Sequence, residues 1–308
     1  MITPSRSQDV LAKRKWILHV FLMHKRRWLK RAIITGLLGA LFLVGLYFLL
    51  KPGVTDRREI FHGVYLTVEE LEQNEQGSGK AMIVEVHWDT PGVKLRHRPF
   101  SFEPDPDDPE APIYRLEPAD LGLLRHGASV LVNSTRYLPE ALYRSFPGAK
   151  VRSVETLVVD GKMSHLHKHS YLMYWDKDGN AHQLVRKPPT QESIEEAVLA
   201  MGIQGVQVWD RKAHYRALGD RDLLISRTFI GIDTERHILW LMAFENVSGY
   251  RMIDRAVELG MEFGGQMDSG DGTSLLIGSG AKDLLPHTGI RFRRPLGPYL
   301  MVDALPLD

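Results

Sequence analysis

Nineteen consecutive uncharged residues, Ala32 to Leu50, constrain this chain more than any other feature. At helical rise the run spans about 28 Å, close to the hydrocarbon thickness of a bilayer. Lys25, Arg26, Arg27, Lys30 and Arg31 precede it, and Lys51, Pro52 and Gly53 follow. The positive-inside rule predicts a cytoplasmic N-terminus and an exported segment 52–308. No small-x-small cleavage pattern follows the run, so it reads as an uncleaved signal-anchor. The expectation is a single-pass protein of the bacterial inner membrane with a periplasmic or extracellular C-terminal domain. Trp16, Ile17, Val20, Phe21 and Trp28 alternate with basic clusters in residues 9–31, as in an interfacial helix on an anionic leaflet. The expected partners are therefore the lipid bilayer and a further membrane protein, with no nucleic acid.

Charge supports a division of the chain. Residues 1–51 carry ten Lys/Arg and one acid, Asp9, while the remaining 257 residues carry 29 basic and 37 acidic groups. Such asymmetry suits two environments. The absence of cysteine excludes a disulfide scaffold, thiolate metal sites and a Cys nucleophile. The expected organisation is a basic arm (1–31), the anchor (32–50), a linker (51–62) and one domain (63–308).

Within that domain, alternating or Val/Ile-rich runs predict strands at 82–88, 129–132, 154–159, 171–175, 224–232, 238–244 and 274–278. Asp160-Gly161 and Asp176–Asn180 read as hairpin turns. Thr190 is expected to cap a helix over 191–201, and Ser248 a helix to about Leu259 with Met252, Ile253, Ala256 and Val257 on its apolar stripe. The acidic, Pro-rich stretch 99–112 is expected to be irregular. The pattern predicts an α+β fold, a mixed-sheet exported domain preceded by one transmembrane helix.

Residues 264–274, GGQMDSGDGTS, place two carboxylates and three hydroxyls among glycines. No Lys precedes the Thr, so this is no P-loop, and the acid spacing is not that of an EF-hand. His165, His167 and His169 share one face if they lie on a strand. The outer two would stand about 13 Å apart, too far for one ion. No nucleophile-elbow motif is present.

Read in order, several motifs resemble the phosphodiester glycosidase family. The family's Asn-Leu-Asp-Gly-Gly-Gly-Ser-Ser-Thr-Leu is matched by Gln266–Leu275, and its Arg-Thr-x-x-Gly strand by Arg227–Gly231. Its Asn-Gly-Gly segment corresponds to Asn133-Ser134-Thr135, followed by Arg136 in place of an aromatic, and its closing strand to Arg294–Val302. Ser269 and Asp271 replace two of the three consecutive glycines. The resemblance implies hydrolysis of glycosyl phosphodiester linkages in envelope glycans or exopolysaccharide. It implies Asp268 as the catalytic carboxylate, Asp271 as a second, and Arg227, Asn133, Thr228, Gly270 and Thr273 as the binders of a sugar phosphate. Structural alternatives stay open: an internal Arg227–Asp268 ion pair, and Asn133 or Asp268 as turn residues. No cofactor is implied, with a divalent cation as the alternative. The altered glycines favour a rival, a non-catalytic subunit that binds glycan or scaffolds a membrane complex.

Overall fold

A computed structural model describes residues 55–99, 113–139, 146–159, 161–163, 171–185, 190–203, 205–284, 288–291 and 294–308. The chain divides into two compact units, residues 1–52 and 53–308. The first, with the apolar run and the basic arm, lies outside the described residues, as do most of 99–112 and the His165, His167, His169 run. Among the described residues no helix is long and apolar enough to cross a membrane.

The domain is mostly β, not α+β. Its described residues form twenty-one strands and only three α-helices, Ala119–His126, Gln191–Glu196 and Gly249–Glu258. The helix expected over 191–201 stops at Glu196. Its second half, Ala197–Ile203, is a strand between Leu157–Val159 and Tyr171–Asp176. A short apolar run has no period that separates helix from strand. Pairing on both sides decides the matter, and Gly202 suits the strand, because an added Cβ there would stand 3.0 Å from Glu155 Cβ.

The largest sheet has eight strands in the order Thr55–Phe61, Val64–Asn74, Gly77–His87, Ile238–Val247, Ile225–Asp233, Phe263–Gln266, Val208–Trp209 and Lys212–Ala213. Its pairings are antiparallel. Residues 55–61, expected in a linker, are its edge strand. The charged side chains are accommodated there because Arg57 pairs with Glu85 at 2.6 Å and lies over the Tyr65 ring. Charge on an edge strand also discourages pairing with foreign chains.

The central hairpin, Ile225–Asp233 with Ile238–Val247, is buried on both faces. Ile230, Ile232, Leu239, Leu241 and Ala243 join the main core. Their sequence neighbours Phe229, Ile238, Trp240, Met242 and Phe244 face a second core. Met252, Ile253 and Ala256 of helix Gly249–Glu258 close that second face. Ser248 caps this helix, its hydroxyl accepting from Arg251 N at 3.3 Å. A five-stranded sheet, Thr288–Arg291, Ser274–Ile277, Val130–Asn133, Tyr299–Asp303 and Lys94–His97, packs into the main core through Val130, Val132, Leu275 and Leu300. It delivers Asn133 and Ser274 to the same place.

His97, at the end of that sheet, is 2% exposed, and its ring donates from Nδ1 to the Tyr299 carbonyl at 3.2 Å. Burial pulls its pKa down to about 4. The unfolded chain takes up this proton near pH 6.5 and the folded chain only near 4. Stability is therefore lost as pH falls through that window, by on the order of 3 kcal/mol. The variant His97→Gln is expected to flatten the wild-type loss of melting temperature between pH 7 and pH 4, as followed by circular dichroism.

Candidate functional site

Strand Phe263–Gln266 leads into Met267, Asp268 and Ser269, a single 3₁₀ turn at Gly270–Gly272, and then strand Ser274–Ile277. Two backbone bonds seat the entry, Met267 N to Thr228 O at 2.9 Å and Asp268 N to Ser134 O at 3.2 Å. Gly270 takes a left-handed φ of 64°. Gly272 has a different reason: a Cβ there would stand 2.5 Å from Asp268 Oδ2. The turn closes directly onto the carboxylate, and any side chain at 272 would displace it.

Asn133 holds this arrangement together. Its amide nitrogen donates to the Asp268 carbonyl at 2.8 Å. Its Oδ1 accepts from Thr228 Oγ1 at 2.6 Å and from Ser274 N at 2.8 Å. Asn133 is 1% exposed and Thr228 fully buried. Both were expected to bind substrate. The structure uses their polar atoms to fasten three segments of chain to one another.

Arg227 stands in a different place from the one expected. It precedes Thr228 on a strand, so the two side chains leave opposite faces. Arg227 is fully buried. Nε donates to Val247 O, Nη1 to Asp220 Oδ1 and Gln266 Oε1, and Nη2 to the carbonyls of Asp220 and Leu223. All five guanidinium hydrogens are thereby committed. Its ion pair is with Asp220, at 3.2 Å, rather than with Asp268. Arg227 reaches the loop only indirectly, through Gln266, whose amide lies 3.3 Å from Ser269 Oγ.

The cation opposite Asp268 is Arg294, with Nη1 3.8 Å from Oδ2. The Arg294 guanidinium lies 4.5 Å from the centre of the Tyr137 ring, and Tyr137 donates to Pro295 O. Arg136, half exposed and paired with Glu155, adds a second positive charge to the field on Asp268. Neither arginine was expected as a ligand, although Arg294 heads the closing motif and Arg136 is a cation where the family has an aromatic.

Asp268 is 9% exposed. Oδ1 accepts from Ser269 N at 3.1 Å, while Oδ2 has no hydrogen-bond partner. The hydroxyls of Ser134, Thr273 and Ser274 are likewise buried without partners. Burial pushes the Asp268 carboxyl above the usual carboxylate range, and Arg294, the Ser269 amide and Arg136 oppose it. Asp271, the other expected carboxylate, is exposed at the turn. The two acids of the loop thus sit in different environments and do not form a buried pair. Among the described residues no group of three His, Asp or Glu could hold a metal ion.

These features define a mostly β, antiparallel domain with one starved carboxylate beneath a glycine turn. Its fold is similar to that of the catalytic domain of zebrafish N-acetylglucosamine-1-phosphodiester alpha-N-acetylglucosaminidase, a structure auto-inhibited by its pro-peptide. The TM-score is 0.53 at 12% identity, over 82% of this chain and 86% of that one. A putative exported protein from Burkholderia pseudomallei gives a TM-score of 0.49 at 10% identity, over 75% of this chain and 74% of that one. A hypothetical protein from Synechocystis gives 0.46 at 13% identity, over 79% and 62%. No protein-family model and no curated protein matches the sequence. At these identities the likeness is one of fold alone.

Two outcomes follow from the geometry. Arg227→Met should destabilise the domain by about 3 kcal/mol or more in denaturant titration, because it leaves the Asp220 carboxylate and several buried acceptors unpaired. Asp268 behaves in the opposite sense. Its folded pKa is raised, so the folded state holds the proton more tightly than the unfolded chain. Stability falls as pH rises from the ordinary carboxylate range through the raised value. Asp268→Asn should therefore match the wild-type melting temperature in acid and exceed it at neutral pH.

Proposed function

We propose that this domain hydrolyses glycosyl phosphodiester linkages, with Asp268 as its catalytic carboxylate. The observation that carries the reading is the Asp268 Oδ2 atom, buried without a hydrogen-bond partner and facing Arg294. Natural interiors leave few polar atoms unsatisfied, and those they leave cluster where a ligand or reacting atom belongs. The fold-level likeness to a phosphodiester glycosidase domain supports the same class of reaction.

In this reading water adds to the anomeric carbon as the bond from that carbon to the phosphate oxygen breaks. The bonding electron pair leaves with the phosphate, and the water proton passes to Asp268 and on to solvent. A carboxylate whose pKa is raised by burial is a stronger base once ionised. Its charge also stabilises the positive charge that develops on the sugar ring. Phosphate departs without needing a proton, so one acid suffices and the exposed Asp271 has no required part. Arg294 and Arg136 supply the positive field for the phosphate. The 3.8 Å gap between Arg294 and Asp268 exceeds a hydrogen bond and leaves the guanidinium free to turn to an anion. The buried hydroxyls of Ser134, Thr273 and Ser274 offer further donors.

In this reading the substrate is an envelope glycan or exopolysaccharide and the domain works on the outer side of the cytoplasmic membrane. A topology reporter fused to the C-terminus tests that placement, and cytoplasmic reporter activity would refute it. A second reading, a subunit that binds glycan without turnover, is favoured by the complete internal use of Arg227 and of the Asn133 carbonyl oxygen.

The deciding assay is hydrolysis of an N-acetylglucosamine-1-phosphodiester analogue by the full chain. Asp268→Asn is expected to lower kcat by about 10²-fold or more. Arg294→Ala should act mainly on KM, and Asp271→Asn on neither. Binding without turnover selects the second reading, and undiminished turnover in Asp268→Asn removes the first.

A further inference from the structure

The edge of the eight-stranded sheet opposite Thr55–Phe61 ends in a small hairpin, Val208–Trp209 with Lys212–Ala213. Trp209 stands on it 42% exposed. Two hollows of about 550 and 610 Å³ meet there, and both are lined by Trp209 and His214. Asp268 lines neither.

A large aromatic ring left in solvent is ordinarily free to swing. This one is held. Trp209 pairs with Phe263 on one side and Lys212 on the other. The two turn residues, Asp210 and Arg211, are both left-handed, with φ of 51° and 59°, and neither is glycine. That is a type I′ geometry, normally given to Asn or Gly. Non-glycine residues rarely take this conformation, and strain of this kind collects at functional sites. Ion pairs fix the turn: Arg211 binds Asp233 at 3.0 Å and Glu235 at 2.9 Å, and Lys212 binds Asp210 at 3.0 Å.

Chemistry separates the hollows. In the larger, the cations Arg211 and Lys212 are neutralised by these acids. Glu262 there is also engaged, by Thr234 and by the Gln183 amide. The smaller is walled by Tyr171, Tyr215, His214 and Arg216 beside Val185 and Val206. Arg216 is exposed and has no ion-pair partner among the described residues. The unmatched charge of the smaller hollow is therefore positive, while in the larger the Glu262 carboxylate is bound by neutral donors only.

We propose that Trp209 and its two hollows form a binding surface for an anionic glycan chain, separate from the Asp268 site. A sugar ring has an apolar C–H face and a rim of hydroxyls. The exposed face of Trp209 meets the first, and the polar walls of the hollows meet the second. Two hollows sharing one aromatic ridge suit a chain of residues rather than a single sugar. Arg216 selects a carboxylate or phosphate on that chain. A protein partner fits less well, because Asp210, Arg211, Lys212 and Glu235 around the ridge are charged and exposed. Charged residues are depleted from the cores of protein interfaces. The proposal holds whether or not Asp268 turns over a substrate.

The test uses the full chain, with polygalacturonate oligomers as the anionic probe and maltodextrin of similar length as the neutral one. Binding is read by calorimetry and by quenching of tryptophan fluorescence at low salt. Wild type and Asp268→Asn are expected to bind the polyuronate alike. Trp209→Ala should weaken it at least tenfold, and Arg216→Gln by severalfold, the latter with an unchanged melting temperature because its side chain is exposed. Three outcomes would overturn the proposal: no polyuronate binding, equal binding by Trp209→Ala, or maltodextrin bound as tightly as polyuronate.

Discussion

The candidate site depends on one side-chain amide. Asn133 lies at the end of a strand in one sheet, and through two atoms it engages a hydroxyl on the central hairpin and both limbs of the glycine turn. An amide offers a donor and a two-lone-pair acceptor on separate atoms, so the three bonds can point to three different segments. A carboxylate there would present an acceptor to the Asp268 carbonyl, and an aliphatic group would leave three buried polar groups unpaired. The consequence reaches the chemistry, since the same bonds fix where the Asp268 main chain stands and how the turn closes over its carboxylate.

Against this scaffold the two acid–base pairs of the region have opposite characters. Arg227 is saturated. Each hydrogen has an acceptor; burial lowers its pKa, and the pairing with Asp220 opposes that only in part. Arg294 and Asp268 are unsaturated. They are close enough to feel each other and too far apart to share a hydrogen bond, and Arg294 Nε and Asp268 Oδ2 are both without partners. A saturated pair rigidifies, while an unsaturated one retains capacity for a third party.

Much of this was legible in the sequence, and the failures have physical causes. The helix after Ser248 and the hairpin before it were readable because capping, turn chemistry and apolar period are local. The position of Asn133 and of the glycine turn was readable from motif order. What Arg227 does was not, because commitment of a guanidinium depends on carbonyls from Asp220, Leu223 and Val247, which no spacing reveals. Strand Thr55–Phe61 was hidden by its Asp-Arg-Arg-Glu composition, since a charged edge strand lacks the alternation that marks a half-buried one. The α+β expectation failed chiefly at Ala197–Ile203, where tertiary pairing from both sides overrides an ambiguous local preference.

The central sheet also carries a cost in time. Its ladder between Gly77–His87 and Ile238–Val247 joins stretches separated by roughly 150 residues, and two of the other three sheets lie wholly within that interval. Such a topology delays the closing contact until much of the chain has been synthesised. Until then Gly77–His87 presents one open edge and apolar residues on both sides, the condition under which nascent β-rich chains call on chaperones.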